Sequence, residues 1–380
     1  MNNRFRSVSR HYSIAHSQGV TLIELMISIT IGIVIIAGIG YAYLGSRQSF
    51  RSQDALSRMQ ENARTAFEFI AKDIRMTGFR GCPVNSAADG DINLLSDSGT
   101  WYKNLLNQPL NGYEKDTDTL WTAFPAGVTG VTGSVAAGDV LTVLHANTDQ
   151  PYIVATHDPD DFQFTLTADA NIKNGELMIA ADSTCARTAI FQNSDNEEAD
   201  EIVQHGSGTA AEIALGSPAG TTYTFSTNSR LYPLTASAYF IGIVDPDDTA
   251  DSGDEYPALF RTKLSTDTGS PSIEQEELIE DVQDMQIAYA IDNNADKAID
   301  SYVTADALTT EAEWQQVLGI RISLLLVSSG DEQGITNEAH TYSIDRNGDG
   351  DVADDDETVT PTDRLLRKVF TTTIAVKNRL

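Results

Sequence analysis

Residues 1–19 are polar and include Arg4, Arg6 and Arg10 but no acid, and Val20 through Leu44 then runs apolar with Glu24 as its single charge. At about 1.5 Å per residue the apolar run would be about 37 Å long as a helix, enough to cross a hydrocarbon core of about 30 Å. From Arg47 to Met76 there is no Pro or Gly, and apolar residues recur in steps of three and four at Leu56, Met59, Ala63, Ala66, Phe67, Ile70 and Ile74. That spacing predicts an amphipathic continuation with one buried stripe, stopped at Gly78 and carrying Arg75 in its last turn. The two parts together predict one helix of about 58 residues (residues 20–77), apolar all round at first and on one face afterwards. Gly32, Gly38 and Gly40 lower helix propensity in the first part but permit close helix approach, as Gly in membrane helices commonly does.

Beyond Gly78 the pattern turns to period two and β-branched runs. Strands are expected at Val140–His145, Tyr152–Thr156, Phe162–Thr167, Tyr239–Val244, Ala258–Lys263, Met285–Ile291, Gly319–Ser328 and Val369–Val376. Short helices are expected over Ser272–Asp281 and after Thr310, where Glu313 completes a capping-box spacing. The fold class is therefore α+β, a long N-terminal helix on a large, mostly antiparallel β head over residues 78–380, in one lobe or two.

Charge narrows the function. The chain holds 55 Asp+Glu against 25 Lys+Arg, a formal charge of −30, and without the three leader arginines it stands at −33. Such a surface repels nucleic acid and anionic headgroups and attracts cations, so no nucleic-acid contact is expected for the head. With 41% hydrophobic and 21% charged residues a packed core is expected. Arginines ahead of the apolar run keep the leader cytoplasmic and export the rest. An ordinary secretory signal would be shorter and followed by a small-residue cleavage site. Here the junction comes early, at Gly19–Val20, and a carboxylate sits inside the apolar run, where it is costly and marks function. Cleavage after Gly19 would supply its partner, the new α-amino group of Val20.

Gly19-Val20-Thr21-Leu22-Ile23-Glu24-Leu25 resembles the class III signal of type IV prepilins and pseudopilins. The resemblance implies cutting after Gly19 by a prepilin peptidase, N-methylation of Val20, and use of Glu24 as the assembly carboxylate; Val20 departs from the usual Phe. It divides the chain into a leader (1–19), a transmembrane and filament-core helix (20–44), an amphipathic helix (45–77) and the head. The stretch Gly78–Cys82 (GFRGC), the strands around Asp284–Tyr289 and Gly319–Val327, and Arg364–Leu380 look like the PilW family of minor pilins, which places the PilW-like part at 272–380; residues 90–260 match no pattern. The family implies a low-abundance subunit that primes pilus assembly at or near the tip. It would serve adhesion, twitching motility or DNA uptake, beside other minor pilins, the major pilin and a large tip adhesin. Its location would be the inner membrane, single-pass with a cytoplasmic N-terminus and next to the assembly platform, before assembly and the extracellular pilus afterwards. The alternatives are a type II secretion pseudopilin, usually shorter, or a calcium-dependent surface-binding module on a pilin anchor.

Export favours a Cys82–Cys185 disulfide over two buried thiols. Asp345, Asn347, Asp349, Asp351 and Asp356, with Gly350 at the sixth position, have the spacing of a calcium loop, although no periodic helices flank it and an acidic hairpin tip is the other reading. Asp292, Asn294, Asp296 and Asp300 carry part of that spacing without the Gly, and Asp245–Asp254 reads as a solvated acidic loop. No cofactor is required, Ca²⁺ being the one candidate. An enzyme is not expected. Of the histidines beyond the leader (His145, His157, His205 and His340), none stands in a paired-ligand spacing. There is no GxSxG or P-loop, Asp and Glu are too abundant to single out a pair, Gly206–Gly208 is a poor dinucleotide fragment, and Trp101, Trp121 and Trp314 read as core.

Overall fold

A computed structural model describes residues 19–82, 91–93, 95, 100–114, 135–195, 200–206, 223–246, 255–266, 270–328, 341–346, 348, 357–363 and 365–379. Residues 1–18 of the leader, Trp121 and His340 lie outside them. Helix α1 runs Leu22–Met76, 55 residues against the 58 expected. The chain divides into two compact units at Gln53/Asp54, so the last part of α1 belongs to the head.

In the first unit the apolar side chains are exposed among the described residues: Leu22 is 76% and Ile36 71% exposed. α1 is the one helix among the described residues long and apolar enough to cross a membrane. In the second unit the expected stripe is buried: Met59, Ala63, Ala66, Ile70 and Ile74 enter the core, with Leu56 and Phe67 packed at its margin. The helix stops where expected. Gly78 takes φ +76°, which an L-residue rarely adopts, and turns its N–H to the Leu144 carbonyl. From the far end of the chain, Asn378 Nδ2 donates to the carbonyls of Met76 at 3.0 Å and Thr77 at 3.1 Å, capping the helix C-terminus.

The head is built on β9 (Arg230–Val244), the longest strand. Its first residues pair with β4 (Tyr152–Asp158) and β6 (Leu177–Ala181), and its remainder with β3 (Val135–Ala146) and β10 (Tyr256–Ser265). The eleven-stranded sheet is completed by β1 (Ile92–Asn93), β7 (Thr188–Gln192), β5 (Gln163–Ala170), β8 (Asp200–Gln204), β2 (Leu110–Tyr113) and β11 (Ser272–Glu280). Among the described residues only the β1–β7 pair is parallel. A second antiparallel sheet runs β13-β12-β14-β17: Ser301–Val303, Val282–Ile291, Val317–Val327 and Arg367–Ala375. The small pair β15 (Tyr342–Ile344) and β16 (Glu357–Val359) forms a two-stranded sheet of its own, with β15 lying against β17.

Side-chain alternation along β9 divides the interior. Tyr239 and Ile241 join the helix stripe and the inner face of the second sheet, including Met285, Ile287, Ile320, Ile322 and Leu324. Tyr232, Leu234, Ala236, Ala238 and Phe240 face the other way, onto Trp101, Leu105, Ile179 and Ile190. Leu231 enters a third cluster with Val154, Phe164, Phe191, Val203 and Phe225.

All eight expected strands are present, several of them longer. One expectation is corrected: Ser272–Glu280 is strand β11, not a helix. Its glutamates alternate at the strand period opposite the cations of β10, pairing Glu276 with Arg261 at 2.8 Å and Glu274 with Lys263 at 3.8 Å. Ladder bonds and cross-strand charge outweigh the good helix propensity of Glu, which tertiary context readily overrides. The helix expected after Thr310 forms as α2 (Glu311–Trp314) with both halves of its capping box.

Ile70 is fully buried, whereas Phe50 is 70% exposed. Ile70→Ala is expected to lower the unfolding free energy of the head by about 2–5 kcal/mol, and Phe50→Ala to leave it unchanged. Denaturant titration of the full chain in detergent would check both.

Candidate assembly site and the buried polar groups of the head

The junction residues Gly19 and Val20 lie exposed just ahead of α1. Thr21 N and Oγ1 both donate to Glu24 Oε2 at 3.0 Å, and Glu24 N–H returns a bond to Thr21 Oγ1 at 3.3 Å. This is a reciprocal capping box, so the Glu24 carboxylate is not unpaired within its own chain. The T-x-x-E spacing was legible in the sequence but lay hidden behind the more conspicuous carboxylate. The exposed oxygen positions still leave Glu24 acceptor capacity for an ammonium group.

The expected disulfide is formed, Cys82 to Cys185, with Cα atoms 5.6 Å apart. It ties the segment after α1 to the β6–β7 turn. Asp182 holds that turn, accepting from Thr184 N at 2.9 Å, Ser226 N at 3.0 Å and Ser226 Oγ at 2.7 Å. Burial raises its carboxyl, but the donors of Ser226 and Thr184 outweigh burial and hold it well below the usual carboxylate range.

Among the expected calcium ligands, Asp345 is described: its Oδ2 is 2.8 Å from Arg321 Nη2 and its Oδ1 accepts from Gly348 N at 2.7 Å. Arg321 also donates to the Gly348 carbonyl. Asp345 is thus committed to a guanidinium; Asn347, Asp349, Asp351 and Asp356 lie outside the described residues. In the second acidic loop Asp292 accepts from Asn294 N and Lys297 N at 3.2 and 2.8 Å, Asp296 from Ala298 N at 2.8 Å, and Asp300 from Asn293 N at 2.7 Å. These carboxylates satisfy their own loop. Among the described residues no group of three or more His, Cys, Asp or Glu is placed to hold a metal ion.

Two polar features were not legible as sites. At the helix face, Asp73 is 5% exposed; Tyr239 Oη donates to its Oδ2 at 2.8 Å, and His145 Nε2 stands 3.6 Å from its Oδ1. Burial works against the Asp73 charge, but His145, Tyr239 and Ser237 hold its carboxyl below the ordinary value. This cluster floors a cavity of about 420 Å³ rimmed by Lys72, Asp149, Arg261 and Lys263. Between the sheets, Asp139 Oδ2 accepts from Ile287 N at 2.8 Å and Asp284 pairs with Arg346 at 2.7 Å. Gly138 (φ +69°) passes so close that a Cβ would lie 2.4 Å from the Met285 carbonyl. Glu114 joins this seam. Burial pushes its carboxyl up to about 7, Asp306 adds to the shift, and the Ala305 N–H and Arg346 oppose it.

Residues 243–378 match the family model described as Type IV Pilus-assembly protein W. Over this stretch the chain is PilW-like. The match spans the end of β9, the β10–β11 hairpin and the whole second sheet. Curated proteins and solved structures yield no match to the chain. The PilW-like portion and the long apolar N-terminal helix agree in pointing to a protein of the type IV pilus, and to membrane anchoring through α1.

Two outcomes follow for the head. Reduction of Cys82–Cys185, which closes a loop of separation 103, is expected to lower its stability by about 4 kcal/mol, measured by denaturant titration with and without reductant. Glu114 has a raised folded-state pKa, so its contribution is full below the unfolded value and is lost as pH rises through about 7. Glu114→Gln is therefore expected to raise the thermal midpoint relative to the parent at pH 8.5 and to forfeit that advantage at pH 5.

Proposed function

We propose that this chain is a minor pilin, a low-abundance subunit that primes assembly of a type IV pilus and stays at or near its tip. The carrying observation is α1 itself: its first part offers exposed apolar side chains on every side among the described residues, while its last part is buried along one stripe. Exposed apolar surface of that extent requires either lipid or other helices. A membrane anchor before assembly and a place in a helix bundle afterwards satisfy both conditions in turn. The PilW-like region supports the assignment to the pilus rather than to a secretion pseudopilus.

The reading gives each junction residue a role. Prepilin peptidase cuts between Gly19 and Val20 and the new terminus is methylated at Val20. Glu24 receives the α-ammonium of a neighbouring subunit in the apolar bundle, where an unpaired charge is costly. The partners are the major pilin, other minor pilins, a large tip adhesin and the inner-membrane platform. The acidic head disfavours nucleic-acid contact, and the pilus would serve attachment or twitching motility.

The capping box permits a test that separates structure from charge. Glu24→Gln keeps an oxygen to accept from Thr21 N and so keeps the helix start, but loses the charge. Processing at Gly19 is expected to be unchanged, while incorporation into sheared filaments, measured by blotting, falls by about tenfold or more, the factor that ~1.4 kcal/mol of lost pairing gives. Normal incorporation of this variant would remove the charge role. Loss of incorporation in Glu24→Ala alone would reassign Glu24 to capping the helix.

A further inference from the structure

His157 at the end of β4 and His205 just after β8 are 48 residues apart in sequence and meet in the third core cluster, 7% and 3% exposed. Their Nε2 atoms lie 3.1 Å apart. The Phe225 N–H donates to His157 Nδ1 at 3.0 Å. A ring nitrogen that accepts carries no proton, so neutral His157 holds its proton on Nε2 and donates it to His205 Nε2, and His205 carries its own proton on Nδ1. The relay Phe225 N–H, His157, His205 therefore fixes both tautomers. It also argues against a shared metal ion. A ligating imidazole donates N–H from its other nitrogen, whereas the other nitrogen of His157 accepts.

Around the pair the walls are aromatic. Phe164 stacks on His157 at 4.3 Å between centroids, and Phe225 meets it edge-on at 5.5 Å. Phe162, Phe164 and Phe191 surround His205 at 6.1, 5.3 and 5.9 Å. Among the described residues, the charged and titratable groups near this cage are Asp158, Asp195 and Tyr223. Asp158 follows His157 on β4 and favours its protonation. Asp195 follows Ser194, whose N–H bonds the Gln204 carbonyl beside His205, and Tyr223 packs on Phe225. His205 N–H itself donates to the Phe162 carbonyl at 2.9 Å, so the pair ties β4, the start of β5, β8 and the Phe225 segment together.

We propose that His157 and His205 form an acid-operated latch, in which uptake of one proton from solvent releases the β5–β8 edge of the large sheet. The relay has no place for another proton. Added at His157 Nδ1 it opposes the Phe225 N–H, and added at His205 Nε2 it opposes the N–H of His157. Either way one hydrogen bond breaks and a cation stands among phenylalanines. Burial lowers the His157 pKa to about 4, with Asp158 opposing. A depressed histidine loses its contribution as pH falls from its ordinary value of about 6.5 toward the folded value. The latch thus holds near neutrality and opens in acid. The inference does not depend on the pilus reading.

The test uses the full chain in detergent micelles, with hydrogen exchange followed by mass spectrometry at pH 7.5 and 4.5. Exchange in β4, β5 and β8, normalised to β14 in the same sample, is expected to rise by about tenfold or more at pH 4.5. The double variant His157→Gln/His205→Gln preserves the relay with amides that do not titrate, and is expected to show no such rise. An equal rise in the variant, or none in the parent, would overturn the latch. Should the variant fail to fold, ¹⁵N spectra of the parent's imidazoles decide. The expected result is an unprotonated His157 Nδ1 at pH 7.5 that gains its proton as the β5–β8 signals exchange. Titration of both rings near 6.5 with that edge intact would sink the proposal.

Discussion

Strand β9 has no solvent face through most of its length, and a strand buried on both sides requires a layer of structure against each. On one side that layer is the last part of α1 together with the second sheet; on the other it is the Trp101–Leu105 segment, which packs on Tyr232 and Leu234 and on Ile179 and Ile190 of the neighbouring strands. The strand can serve both because its partners change at Pro233, where pairing with β4 and β6 gives way to pairing with β3 and β10. Without the helix stripe, Tyr239 and Ile241 would face water and Asp73 would lose the hydroxyl that satisfies it. Helix and head are therefore one cooperative body from Asp54 onward.

The remainder of α1 obeys a different rule. Its apolar side chains from Leu22 to Leu44 stand exposed among the described residues, whereas a self-contained protein would bury at least one stripe of them. The Thr21–Glu24 capping box shows that the helix start is stabilised locally, with no head contact needed. An element that is capped by itself yet uncovered is suited to exchanging one apolar environment for another.

Much of this was legible in the sequence because the signals were periodic and local. The stripe from Leu56 to Ile74, the stop at Gly78 and the Thr310 capping box each lie within a few turns of chain, and each forms where the pattern placed it. The failures are non-local. Ser272–Glu280 reads as a helix until Arg261 and Lys263 are known to lie opposite its glutamates. The start of β9 was masked by Pro233, which a central strand should exclude but which is tolerated where the pairing changes over. Leu177–Ala181 and Asp200–Gln204 are five residues each, too short for alternation to declare itself. The junction at Gly19–Glu24 was read as a site from motif alone, yet the relay from Phe225 through His157 to His205 joins residues that no spacing rule connects.

The PilW-like portion and the remaining strands divide the structural labour. Residues 243–378 supply the sheet and hairpin that close over the helix, and Asn378 caps its end. The strands before them supply the disulfide, the Asp182 turn and the histidine pair. The buried ionisable groups follow the same division with opposite sign. Glu114, in the seam against the second sheet, stabilises the fold toward acid, whereas His157, in the cluster away from it, stabilises toward neutrality. Lowering the pH from 7 to 4 therefore strengthens the seam between the sheets while loosening the β5–β8 edge. A fold whose two regions respond oppositely to the same proton concentration can loosen one edge without releasing the helix that anchors it.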